Sequence, residues 1–175
     1  AANRPWDELV REVLTARDDH PAVGWWIVTV GEKQAVDSEA ADSAAQAFLG
    51  SRIGCARCHN HPLERFTQDD YYHFAAFFAR VALERRPPAE GATRLIVASR
   101  QERDLDREKR GVEQELVTLE GADPPAAAAD VEAKRMRIGR LAAEIEKARL
   151  APVTAAQPRT GSQLAPRGLD RRAVE

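Results

Sequence analysis

Residues Cys55 to Pro62 read CARCHNHP, and these eight positions hold both cysteines of the chain and two of its four histidines. Thiolates and imidazoles are the side chains that bind soft and borderline metals. C-x-x-C followed directly by His is also the attachment pattern of c-type haem. That pattern has a mechanical basis: two residues between the cysteines let both thiols meet the vinyl groups along one porphyrin edge, and the adjacent imidazole then turns beneath the iron. On this reading Cys55 and Cys58 are thioether sites and His59 is the proximal ligand.

The same residues admit other chemistry. Cys55, Cys58, His59 and His61 form a four-ligand set for tetrahedral zinc, although compact zinc sites usually draw paired ligands from two separated segments, whereas Cys58 and His59 are adjacent. A redox dithiol is a third reading, but no βαβ pattern surrounds the motif. The plainest reading is two cysteines and a histidine packed in a turn. His61 lies only two residues from His59, within about 7 Å by chain reach, so the two cannot straddle a macrocycle. With Pro62 behind it, His61 reads as a turn-forming residue that supports a ligand. His73 is a candidate for the opposite face of a haem, and Arg57, between the cysteines, is a candidate partner for a haem propionate. Met136, the single methionine, falls in a later segment too remote to supply a thioether, and His20 has no evident partner. No Ser/His/Asp order, phosphate loop or paired carboxylates suggest hydrolysis. Asp69 and Asp70 read as first-turn charges favoured by a helix dipole.

The elements that must position this cluster are mostly helical. Pro5 stands at a helix start, and Trp6, Leu9, Val10, Val13 and Leu14 follow at helical spacing, predicting a helix over about 5–16. GWWIVTV, from Gly24 to Val30, is β-branched and aromatic, and reads as a short strand or an extended segment over the core. A helix from Ser38, capped by Gly50, leads into the cluster. Thr67 and Asp70 have capping-box spacing and open an aromatic helix that runs to Val81.

Composition changes near Arg86, where prolines and charges mark a linker over 87–98. Ser99 and Glu102 form another capping box, and Leu105, Val112, Leu116 and Leu119 follow a heptad seam. After a turn with Asp123 as N-cap and Pro124 at the first helical position, Val131, Ile138, Leu141, Ile145 and Ala148 form a second seam. The two predict an antiparallel helical hairpin over 99–150 with solvated charged faces. From Ala151 onward there is Pro, Gly and Ser without periodicity, which predicts a disordered or partner-dependent tail over 151–175. The fold class expected is therefore mainly α: a small helical domain over 1–86 built around C-x-x-C-H, followed by the hairpin.

Composition narrows the function classes. With 26 basic and 28 acidic residues, a net charge of −2 and a pI near 6.2, the chain has no electrostatic footprint for nucleic acid. No apolar run reaches the roughly 20 residues needed to span a bilayer. The start lacks the layout of a signal peptide and a Met, which reads as a fragment of a longer protein.

Three stretches carry a family resemblance: QAFLG at 46–50, CARCHNHP at 55–62, and FTQDDYY at 66–72. Together they resemble the core of the second planctomycete cytochrome-c-like domain family, whose hallmarks are a Q-x-F-L-G helix end, C-A-x-C-H-x-H-P and an aromatic T-Q-x-D-Y-Y helix start. RPWDELVREVLTA and HPAVGWW are also similar to the segments that precede this core, so the likeness covers residues 3–83. The resemblance implies a domain named for a haem, inside large exported bacterial proteins that carry further domains and charged coiled-coil insertions; the function read is a c-type haem-binding, electron-transfer-like module, with a zinc-stapled structural or interaction domain without catalysis of its own as the alternative. It implies a periplasmic or extracytoplasmic location, with the rest of the parent protein and a redox partner as neighbours. The family's usual N-terminal part has no counterpart here, and the last 25 residues resemble nothing in it.

Overall fold

The computed structural model describes residues 3–17, 20–30, 36–84, 94–122 and 126–170. It is mainly helical and divides into two compact units. The larger contains Ala1–Val97 and Pro152–Glu175, and the smaller is the segment Ala98–Ala151 between them. The larger unit is thus discontinuous in sequence.

In the larger unit, α1 (Trp6–Thr15), α2 (Val23–Val30), α3 (Val36–Leu49) and α4 (Gln68–Ala75) surround a core of small and aromatic side chains. Pro5 is the N-cap of α1 and not its first helical residue. GWWIVTV is helical, which corrects the expectation of a strand. Val23 and Trp26, three positions apart and both buried, share the face that meets the core, and Trp26 Nε1–H donates to the Val13 carbonyl at 2.8 Å. Burial of that face outweighs the strand preference of β-branched and aromatic residues. Along α3, Ala40, Ala41, Ala44 and Ala45 are buried, and their lack of bulk lets other elements approach closely. Gly50 ends the helix at φ +64°, a conformation in which a side chain would be strained.

The aromatic helix is shorter than expected. After Ala75 it tightens into a 3₁₀ turn over Ala76–Phe78, and Val81 opens a strand, β1 (Val81–Glu84), paired antiparallel with β2 (Arg94–Val97). Part of the expected linker over 87–98 is therefore sheet. A two-residue ladder of β3 (Ala155–Ala156) and β4 (Gln163–Leu164) follows the smaller unit. Residues 152–170, within the segment expected to be disordered or partner-dependent, form a strap on α4. They are held there by directed hydrogen bonds and one ion pair, which leave no trace in hydrophobic periodicity.

In the smaller unit, α5 (Arg100–Glu120) and α6 (Ala128–Leu150) form the hairpin. The ion pairs Glu102–Arg149, Glu108–Arg137 and Glu115–Lys134 rise along one helix as they fall along the other, so the packing is antiparallel. Leu141, Ile145 and Ala148 are buried on its seam, and Ser99 with Glu102 forms the expected capping box. Helix α6 starts at Ala128 with Ala127 as N-cap; Asp123 and Pro124 lie outside the described residues. No helix among the described residues is long and apolar enough to cross a membrane.

Candidate haem-attachment site

Gly50 turns the chain out of α3, and Ser51 N–H donates back to Ala45 O at 3.1 Å. Ile53, fully buried, anchors the next step, and a 3₁₀ turn over Gly54–Arg57 carries the first cysteine, with Cys58 as its C-cap. Ala56 is buried beneath this turn, so Cys55, Arg57 and Cys58 face outward. Both cysteines are free and exposed.

The turn is tied to the start of α4. Gln68 Nε2–H and the Tyr72 hydroxyl both donate to the Arg57 carbonyl, at 3.0 and 3.2 Å. Gln68 N–H donates to Asn60 Oδ1 at 3.0 Å, and His61 N–H to the Phe66 carbonyl at 2.8 Å. Helix α4 is itself fixed by the Thr67–Asp70 capping box. The T-Q-x-D stretch read from sequence as a helix start therefore also clamps the cysteine turn.

Hydrogen-bond partners sort the histidines into two kinds. A carbonyl oxygen only accepts, so a ring nitrogen facing one carries the proton. His59 Nδ1–H donates to the Asn60 carbonyl at 2.7 Å, and His73 Nδ1–H to the Ala165 carbonyl at 2.6 Å. In the neutral ring this tautomer carries its lone pair on Nε2, the form in which histidine ligates a metal through that atom. His61 is the reverse: its Nδ1 accepts from the N–H groups of Leu63 and Glu64, at 3.3 and 2.9 Å. Its proton is therefore on Nε2. His20 likewise accepts from Ala22 N–H at Nδ1.

Below the turn lies a carboxylate that sequence inspection did not single out. Asp42, on α3, has Oδ2 and Oδ1 3.4 and 3.5 Å from where a Cβ on Gly54 would stand, and Oδ1 is buried without a hydrogen-bond partner. Burial raises the Asp42 pKa above the ordinary carboxylate value, with the Tyr71 hydroxyl and the Arg57 guanidinium pulling the other way. Tyr71, fully buried, donates to the Ser38 carbonyl at 3.3 Å, and burial with the nearby Asp42 drives its pKa far up. Arg57, offered from sequence as a propionate partner, is exposed and acts electrostatically on this pair. Only a polar residue inside an alanine-rich helix could have flagged Asp42.

The donor chemistry fits a covalently held haem: two free outward thiols on a fixed turn, and an adjacent imidazole in the ligating tautomer. The enclosure is less complete, because the large apolar recess of this unit is lined by neither cysteine nor by His59 or His73. The zinc set is not gathered. Among the described residues no three His, Cys, Asp or Glu side chains converge on a common point, and His61 spends its lone pair on the backbone. Met136 is an exposed residue of α6 in the smaller unit.

Residues 1–82 match the PSCyt2 family model. That family is a cytochrome-c-like domain described as a protein of unknown function (DUF1549). The PSCyt2 match takes in α1 to α4 and ends inside β1, so β2 and the strap, which belong to the same unit, lie beyond it. No curated protein and no solved structure is significantly similar to the chain.

Proposed function

We propose that the larger unit is a c-type haem-carrying module for electron transfer, with Cys55 and Cys58 as thioether sites and His59 as proximal ligand. The observation that carries this reading is the 2.7 Å bond from His59 Nδ1–H to the Asn60 carbonyl, which makes Nε2 the ligating atom of the neutral ring, next in sequence to two free cysteines. The bound haem would supply a one-electron iron centre. This chain's residues hold the attachment turn in place through Gln68 and Tyr72, leave both cysteines exposed, and fix the His59 ring. The motif residues face outward, which would leave the site accessible to a redox partner. The match to a cytochrome-c-like family supports the same reading. It also motivates placing the module in a larger exported bacterial protein, where a redox partner reaches it outside the cytoplasm.

The test is expression with an export signal in cells carrying c-type haem attachment machinery. The expected product retains haem after denaturation, and Cys55→Ser with Cys58→Ser abolishes that retention. A colourless product, made in cells that mature a control cytochrome, would overturn the reading. Stoichiometric zinc bound in that colourless product would favour a zinc-stapled interaction domain.

A further inference from the structure

A recess of about 700 Å³ opens in the larger unit at a different place from the thiols. Its floor is Trp26 and Phe78, which are 0% and 6% exposed, and its rim includes Leu49 and Phe77, which are 56% and 40% exposed. The gradient from buried to exposed makes it a pocket with depth and not a flat face. The volume falls in the range of roughly 300–1,000 Å³ typical of small-molecule sites.

The lining specifies the ligand's chemistry. Trp26, Phe66, Phe74, Phe77 and Phe78 contribute aromatic rings. Those rings brace one another, with centroids 5.9 Å apart for Trp26–Phe78, 5.7 Å for Phe74–Phe78 and 6.0 Å for Phe74–Phe77, all tilted or edge-on. A wall of fixed rings suits another ring, which gains offset or edge-to-face contacts beyond simple burial. The floor offers no hydrogen bond, because the Trp26 N–H is committed to Val13. The polar side chains that line it are Ser51, Arg65 and Asp170: one hydroxyl, one cation and one anion. A single charge of each sign gives no net attraction for an ionic ligand. Arg65 Nη2–H also donates to the Leu169 carbonyl at 3.2 Å, so the strap forms part of the wall.

We infer that this recess binds a small, uncharged, ring-bearing apolar molecule. The site is independent of the haem reading, because no thiol or imidazole of the motif lines it.

The test titrates the full chain with N-phenyl-1-naphthylamine, an uncharged fluorophore of one phenyl and one naphthyl group, in parallel with 1-anilinonaphthalene-8-sulfonate, its anionic counterpart. The expected result is saturable one-to-one binding of the uncharged probe, at least about tenfold tighter than the sulfonate. Phe77→Asp and Leu49→Asp each place a charge on the exposed rim and are expected to weaken binding by about tenfold or more. Leu63→Asp, at a site 90% exposed and outside the recess, should change nothing. Nuclear Overhauser contacts from probe protons to the Phe74 and Phe78 rings provide a readout that needs no variant. Non-saturable binding, equal affinity for the sulfonate, unchanged affinity in a folded rim variant, or contacts only to other residues would overturn the proposal.

Discussion

Arg167 Nη2 lies 3.2 Å from Oδ1 of Asp70, joining the strap to the first turn of α4 across 97 positions of sequence. The Asp70 side chain is nearly buried, and its other oxygen accepts from Thr67 N–H and the Thr67 hydroxyl at 2.9 and 2.8 Å. One carboxylate thus caps the helix and receives the strap. Arg167 N–H also donates to the His73 carbonyl at 3.2 Å.

Removal of this guanidinium leaves a buried charge partly unpaired. Arg167→Ala should therefore lower stability by about 1–3 kcal/mol, measured by urea unfolding, with Arg167→Lys falling between the two. No loss in Arg167→Ala would show that the strap does not contribute to the folded state.

A second prediction concerns pH. The folded pKa of Asp42 is raised above the unfolded value near 3.8, so its stabilising contribution is present below that value and is lost as pH rises through the folded pKa. Asp42→Asn, which never ionises, should melt higher than the parent at pH 7, and the difference should shrink towards pH 3. A difference that stays constant from pH 3 to 7 would rule out ionisation as its origin.

The two neighbouring histidines should behave differently once haem is attached. His59→Ala should leave both thioether bonds in place but change the iron's ligand field, seen as a shift in the Soret and charge-transfer bands. His61→Ala should leave the spectrum alone and lower the melting temperature by several degrees, because Leu63 and Glu64 N–H lose their acceptor. An unchanged spectrum in His59→Ala would remove it from the iron.

A fourth prediction concerns the hairpin. Its ion pairs and apolar seam close within residues 98–151. Replacement of that segment by a flexible Gly/Ser linker, with the strap retained, should preserve cooperative unfolding and any haem attachment by the larger unit. Loss of the cooperative transition would show that the units are not separable.

The parts legible in the sequence were those governed by local rules. Thr67 with Asp70 and Ser99 with Glu102 announce their helix starts, because a capping box involves only four consecutive residues. Gly50 announces a left-handed turn, and Cys55, Cys58 and His59 stand out by type and spacing. What remained hidden depended on distant partners. Trp25 and Trp26 lie in a stretch whose composition favours strand, and only the face shared by Val23 and Trp26 against the core makes it helical. Val81 and Val97 pair across a segment that looked like a helix end and a linker. Gln157 sits in a stretch without periodicity, yet its side chain reaches Gln68 and Asp69 at 3.3 and 3.1 Å. His59 and His61 look interchangeable as letters, and only their backbone partners tell them apart.

The discontinuity of the larger unit also sets a timetable. During synthesis Asp70 emerges 97 residues ahead of Arg167, a lag of roughly 5–20 s at about 5–20 residues per second. Throughout that interval the cysteine turn exists without its strap, while the whole hairpin is still being made. Cys55 and Cys58 are exposed in the finished unit, so the arrival of Arg167 leaves the thiols open and completes the hold on α4, the helix that clamps their turn.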